Sequence, residues 1–357
     1  MAERTRGGSP TAQDAPEARR DPAAVLTDEV PEVAAPRTTV RHVLRRNGLT
    51  FGTLGVALLM WALFVAAAPE VFLTSRIYQA FATTTPLFAM MALALTLIVI
   101  TGEIDLSFIS VMALGMVGFV RIYELTGSVA AAVVACLIVG ALCGLFNGFL
   151  IAILGIPSLV ITLGTMFFFR GIELVLLNAR GVPLTGPEFL GLRTALNGRL
   201  FGIPNELLWT VAVAIVLWVL LNRTRFGAHV FLVGDNAISA QLMGVRVARV
   251  KVATYVLLAM VAAFTGLVAS MQVSYLWPTL GEGSLLNPIA AVFLGGTSVF
   301  GGAGSIVGTF IGAFVIGAIN AGIISAGIDG FYTQLFFGLV IIVSLVIQTI
   351  ISRRLRG

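Results

Sequence analysis

An all-α membrane protein crossing the bilayer about ten times is the fold class this sequence predicts, on three observations. Hydrophobic residues make up 58% of the 357 and charged residues only 11%, where a soluble domain carries about 25% charged. The mean hydropathy is +1.00, and apolar runs long enough for a hydrocarbon core of about 30 Å recur along the chain. The cations gather in short polar stretches between these runs, which is the pattern of membrane topology. A net charge of +5 and a pI near 9.8 therefore do not point to nucleic acid.

Residues 1–36 are rich in Ala, Pro, Arg, Asp and Glu without apolar periodicity, and cannot bury enough surface to offset ordering entropy. They are expected to form a disordered cytoplasmic tail ahead of a permease domain over 37–351. No apolar core appears before Leu49, so this is not a signal peptide. Arg37, Arg41, Arg45 and Arg46 precede the first span and hold the N-terminus inside.

The predicted spans are 49–68, 77–100, 107–121, 129–154, 158–177, 205–221, 252–273, 285–299, 305–326 and 331–351. An even count returns the C-terminus to the cytoplasm, where the tail 352–357 carries Arg353, Arg354 and Arg356. The third and eighth spans are short and adjoin polar or glycine-rich interruptions, as broken or re-entrant helices do.

The first interruption is Thr101–Ser107, TGEIDLS. A carboxylate unpaired in hydrocarbon costs about 2.5 kcal/mol or more, so Glu103 and Asp105 must face water, a partner or a helix end. Asp105 and Ser107 suit the N-terminal turn of the next helix, where backbone N–H groups favour an anion. In the fourth span Cys136 and Cys143 share a face but lie about 10 Å apart on one helix, too far for a disulfide. In the fifth, Arg170 and Glu173 stand three apart and can pair. A polar interval, 178–204, falls outside and is expected to hold a short surface segment. Asn147, Asn287, Asn320 and Gln334 are in-membrane polar groups whose ordinary role is interhelical hydrogen bonding. The second interruption, Gly295–Ser305, is glycine-rich and lets backbones approach closely.

The longest polar, cation-rich segment between apolar halves is Asn222–Lys251. Asp235 or Asn236 can cap a short helix, Gly244 suits the left-handed position that ends one, and Ile238, Leu242 and Val245 fall at i, i+4 and i+7. The span count places this amphipathic helix on the cytoplasmic surface as a linker or as a docking helix for a soluble partner. Lys251, the chain's sole lysine, follows Val250, so no phosphate-binding GxxxxGK[ST] loop exists and the chain cannot itself be an ATPase. HExxH and nucleophile-elbow motifs are also absent, and His42 and His229 lie far apart. Transport remains.

Four stretches, LIVITGEIDLS (97–107), PSLVITLGTMFFFRGIELVL (157–176), TRFGAHVFLVGDNAISAQLMGV (224–245) and IAAVFLGGTSVFGGAGSIVGTFIGAFVIG (289–317), resemble the permease subunits of ABC importers for monosaccharides, the ribose-type permeases. The resemblance covers about residues 50–350. It implies a ten-helix subunit of the vitamin B12-importer type in a bacterial inner membrane, paired with a second permease subunit, most simply an identical one. It also implies a cytoplasmic ABC ATPase that uses ATP and Mg, a periplasmic sugar-binding protein, and no cofactor on this chain. The helix in loop 222–251 would be the coupling helix, with Asp235, Asn236, Ile238, Ala240, Leu242 and Gly244 as its contact set. Glu103, Asp105, Ser107, Asn147, Thr165, Arg170, Asn287 and Thr297 are the candidate pathway residues. This chain has Ala237 and Ile238 where relatives carry acids, and Leu285, Leu286 and Asn287 where a Glu-Leu-Asp run is common. The coupling contact is therefore expected to be apolar and the solute a small sugar or sugar alcohol. Branched-chain amino acids or nucleosides on the same architecture, and an ion-coupled secondary transporter, are the alternatives.

Overall fold

Twelve described helices of six residues or more, besides the single turn Pro69–Phe72, arise from the apolar runs and their punctuation in a computed structural model that describes residues 48–325, 332–335, 337–339, 342 and 346. They are α1 (Gly48–Ala67), α2 (Ser75–Ile100), α3 (Phe108–Thr126), α4 (Val129–Ala152), α5 (Ser158–Leu177), α6 (Leu190–Asn197), α7 (Asn205–Arg223), α8 (Arg225–Asp235), α9 (Ala237–Leu242), α10 (Val247–Val273), α11 (Leu286–Leu294) and α12 (Ile306–Ser325). Short turns separate many of them. Gly127 closes α3 in the left-handed region, Ser128 caps α4 by accepting from the Ala131 amide, and Pro157 and Pro204 precede α5 and α7. Seven of the described helices are long and apolar enough to cross a membrane, and the chain is a multi-pass, all-α membrane protein.

The helices run between two ends. The elbow end carries the α2–α3 break, the α7–α10 connection and the α11–α12 break. The strand end carries two minimal antiparallel pairs, β1 (Val182–Pro183) with β4 (Tyr275–Leu276) and β2 (Arg199–Leu200) with β3 (Ile203–Pro204). The helix α2 forms the centre, with every residue from Ala89 to Ile100 buried. Around it pack α7, α10, α11 and α12. In contrast, α4, α5 and α7 keep rows of large apolar side chains exposed, among them Phe149, Phe167 and Ile215, as lipid-facing helices do.

One seam explains how close the central helices come. Gly140, Gly144 and Gly148 recur every four residues on α4, and a Cβ at any of them would press on the backbone or small side chains of α10 at Ala259, Tyr255 or Val252. Small residues at this spacing let membrane helices touch backbone to backbone. Both cysteines lie on the buried face of α4 as free thiols, Cys136 donating to the Ala263 carbonyl at 3.5 Å.

Three expectations need correction. The third span is not short: α3 runs to Thr126, because Arg121 does not end the helix but pairs with Glu124 one turn on, both half exposed. The loop 222–251 is narrower, since α7 extends to Arg223 and α10 starts at Val247. Within it the sequence reading missed α8, whose apolar positions Val230 and Val233 are buried. The eighth span is short, with only nine residues in α11. The expected tails, 1–36 and 352–357, and most of the tenth span lie outside the described residues.

Candidate functional site

At the elbow end the chain reverses twice in a few residues. Thr224 caps α8 with its hydroxyl oxygen, and α8 ends where Asn236 turns extended, at φ −158°. Asn236 then caps α9, its side-chain oxygen accepting from the Ser239 amide at 2.9 Å. Gly244, at φ 84°, takes the left-handed turn that leaves α9. Of the predicted coupling residues, Ala240 is the buried anchor, Asp235 and Asn236 form the exposed elbow, and Ile238 and Leu242 project outward at 74% and 85% exposure beside Met243. Val245 does not continue their face; it lies past the helix and is buried.

The elbow rests on the other two breaks. The Gly302 amide donates to the Ile100 carbonyl at 2.9 Å. A Cβ at Gly234 would overlap that same carbonyl, and one at Gly301 would press on the Gly234 carbonyl. Gly301 and Gly302, at φ 81° and 73°, adopt the conformation that only glycine takes without strain. Thr297, in the same segment, is buried with its hydroxyl unpartnered among the described residues.

Beside this contact, Glu103 pairs with Lys251 at the start of α10. The loop between α2 and α3 is further tied by Tyr255, whose hydroxyl donates to the Ile104 carbonyl at 3.1 Å, and by Ser158, whose hydroxyl oxygen accepts from the Ile104 amide at 3.2 Å. Asp105 is buried, and one carboxylate oxygen accepts from both the amide and the hydroxyl of Ser107, at 2.6 and 2.7 Å. The Asn147 side-chain amide donates to that hydroxyl at 2.7 Å. Burial pushes the Asp105 carboxyl up to about 6, while hydrogen bonds from Ser107, Asn147 and Phe108 pull against it. Glu103, Asp105, Ser107 and Asn147 thus form one tied cluster that holds a chain break.

The strand end is built differently. A cavity of about 540 Å³ opens between α2, the end of α10, the 277–284 loop, the start of α11 and α12. Its polar lining is Thr84, Gln272, Thr279, Ser284, Asn287 and Asn320, with Trp277 on one wall and Glu282 as its ionisable group. Arg170 stands behind this wall. It pairs with the fully buried Glu173 at 2.8 Å and donates to the Pro278 and Leu280 carbonyls, the latter at 3.1 Å. It also lies 3.7 Å from Glu282. The bonds to the two carbonyls and the approach to Glu282 fasten α5 to the loop that shapes the cavity.

Of the eight predicted pathway residues, only Asn287 lines this cavity. Arg170 braces its loop, Thr165 is buried in α5 with its hydroxyl 3.4 Å from the Thr162 carbonyl, and the rest lie at the elbow end. Asn287 and Asn320 make no hydrogen bond among the described residues. The sequence reading passed over Gln272, Trp277 and Glu282. Gln272 carried a usable signal, a lone amide in the last turn of an otherwise apolar span.

Comparison with known proteins agrees with this architecture. A family profile described as branched-chain amino acid transport system / permease component matches residues 77–345. The ribose import permease protein RbsC of Escherichia coli (strain K12) is 33% identical over 73% of this chain and 81% of its own. Its namesake in Bacillus subtilis (strain 168) is 36% identical over 72% and 80%. The autoinducer 2 import system permease protein LsrD of Photorhabdus luminescens is 33% identical over 72% and 79%. No solved structure matches the chain. With the profile spanning most of the sequence and these relatives aligned over most of theirs, the chain belongs to the branched-chain amino acid transport system permease family.

Proposed function

We propose that this chain is the membrane permease subunit of an ABC importer that passes a monosaccharide or sugar alcohol into the cytoplasm. Its topology is that of a bacterial inner-membrane protein with the elbow end and both termini cytoplasmic, and its architecture is of the vitamin B12-importer type. A periplasmic binding protein delivers the solute at the strand end. A second permease subunit, most simply a copy of this chain, completes the pathway, and a cytoplasmic ATPase that binds ATP and Mg docks on α9.

The observation that carries the solute class is the kind of polar group in the cavity. Set among apolar side chains and the rings of Phe81, Phe88 and Trp277, these groups are amides and hydroxyls, and the ionisable group, Glu282, stands near Arg170. Neutral polyols suit such a lining. A branched-chain amino acid would need a cation for its carboxylate, and Arg170, behind the wall, is bonded to Glu173 and two carbonyls; secondary transport would need paired coupling-ion carboxylates, where the cavity lining has the single carboxylate of Glu282. Glu103 and Asp105 are at the other end.

Docking through α9 relies on its apolar projection, with topology and anionic lipid left to the flanking arginines. With its ATPase and binding protein in proteoliposomes, the wild-type chain takes up labelled D-ribose, D-xylose or ribitol only with ATP. Ile238→Asp with Leu242→Asp lowers uptake at least tenfold while ATP hydrolysis continues, and leaves thermal unfolding of the isolated chain unchanged, since both side chains are exposed. Uptake driven by a proton or sodium gradient without ATP would sink the importer reading; full uptake by the double variant would sink the docking helix alone.

A further inference from the structure

We propose that Glu206 is a positioning residue which fixes the amide of Gln272 with its carbonyl oxygen toward the cavity, so that the permease reads a donating hydroxyl of its solute there. This rests on the sugar-permease reading above. Gln272 lines the cavity. Its Nε2 donates to the Thr83 carbonyl on α2 and to Glu206 Oε1 on α7, each at 3.4 Å. Thr83's carbonyl can only accept, and Glu206 Oε1 already accepts from Asn197 Nδ2. The reversed amide would set its oxygen against two other oxygens, so these two neighbours choose the orientation. Both amide hydrogens are then committed, and Oε1 is what remains for a solute.

Glu206 does not itself line the cavity. It is 2% exposed in the first turn of α7, and its Oε1 also accepts from Asn197 Nδ2 at 3.1 Å. That Asn197 nitrogen donates in addition to the Val268 carbonyl at 3.1 Å, so Glu206 and Gln272 are bound into one frame joining α6, α7 and α10. Among the described residues Asn287 and Asn320 have no such partners. Gln272 is the fixed point of the lining, a hydrogen-bond acceptor in a place where a bare anion would be repelled.

The test uses the full chain with its ATPase and binding protein in proteoliposomes, and whichever of D-ribose, D-xylose and ribitol the wild type carries. Uptake of that solute is competed against its monodeoxy and deoxyfluoro derivatives; the fluoro group can accept weakly but cannot donate. The binding protein is common to all arms, so a changed ratio belongs to the permease. For one derivative pair the wild type discriminates about fivefold, the worth of one neutral hydrogen bond, and fluoro and deoxy forms suffer alike. Glu206→Met and Gln272→Leu each abolish this discrimination, Glu206→Met adds nothing in the Gln272→Leu background, and Glu206→Gln, whose carbonyl can replace Oε1, restores most of it. Thermal unfolding of each variant separates misfolding from lost selectivity, and Glu206→Gln alone suffices if Glu206→Met does not fold: loss of discrimination in a stable Glu206→Gln overturns the proposal. Unaltered ratios in a folded Glu206→Met overturn it while leaving the importer reading intact. No ATP-driven uptake of any of the three solutes by the wild type overturns both.

Discussion

At the elbow end three chain breaks meet backbone to backbone, and glycine carbonyls and amides do the packing. At the strand end the same helices stand apart around a cavity, and long side chains bridge the gaps. The difference follows from what each end is made of. Gly234, Gly301 and Gly302 have no side chains to hold the breaks apart, whereas Arg170 and Gln272 reach across from one helix to the next. A joint of touching backbones transmits displacement because packed interiors barely compress. A frame of side-chain bonds can open by exchanging partners. The elbow that presents α9 is therefore stiffly joined to the ends of α2 and α11, and both of these helices line the cavity at their other ends.

The largest expected effect is at the looser end, where a single residue carries several bonds. Arg170→Met leaves Glu173 fully buried without its partner, and breaking such a pair costs about 3–5 kcal/mol. Thermal unfolding and hydrogen exchange of the 275–285 loop read the loss. Glu173→Gln should cost much less, since Arg170 keeps the Pro278 and Leu280 carbonyls. Equal losses from the two variants would mean that the pair, and not the brace on the loop, is what matters.

At the elbow end the matching change is Gly234→Val. Its Cβ has no space beside the Ile100 carbonyl, and overpacking of about 1–3 kcal/mol adds to about 1 kcal/mol for the displaced Gly302–Ile100 hydrogen bond. If the joint transmits displacement, uptake falls further than stability does. A variant that unfolds normally and still transports at the wild-type rate would show that the backbone contact is not the joint.

Asp105 sharpens the comparison by its charge. Its carboxyl is raised from 3.8 to about 6 chiefly by burial, so its favourable contribution is complete below pH 3.8 and is lost as pH rises through about 6. Ionised at neutral pH, it costs at most about 3 kcal/mol relative to the protonated form. Asp105→Asn keeps an acceptor for the Ser107 amide and removes the titration. The wild-type unfolding temperature should therefore fall relative to the variant's between pH 4 and 7, and parallel curves across that interval would remove Asp105 from the account.

Much of the elbow was legible in the sequence, because the signals there are local. Asn236 as a cap, Gly244 as a stop and the outward Ile238 and Leu242 follow from spacing alone. The break at Thr101–Ser107 announced itself through two acids ending an apolar run. What could not be read was the convergence of Gly234, Ile100 and Gly302, since nothing in the order of residues says which glycines will share a contact. The cavity was harder still. Its lining comes from five helices and a loop, and side chains such as Gln272 and Asn320 look like ordinary interhelical glue until their neighbours are known. Arg170 was half legible: its pairing with Glu173 follows from the i, i+3 spacing, but the Pro278 and Leu280 carbonyls that it also binds lie more than a hundred residues away.

The smallest expected effect tests whether charge assists the elbow joint or merely decorates it. Lys251 and Glu103 tie the first turn of α10 to the α2–α3 break, and their side chains are 19% and 15% exposed. A pair so partly shielded is worth about 1 kcal/mol, between a surface pair and a buried one. Lys251→Met, Glu103→Gln and the double variant form a cycle whose coupling energy isolates the pair. Because Lys251 is the sole lysine of the chain, its acylation by an amine reagent, located by peptide mass, also reports the pair's opening directly. If the joint moves as a unit, acylation in the assembled transporter should rise several-fold during ATP turnover. If Lys251 reacts equally with and without ATP, the ion pair holds the break in place and takes no part in the motion, and transmission rests on the glycine contacts alone.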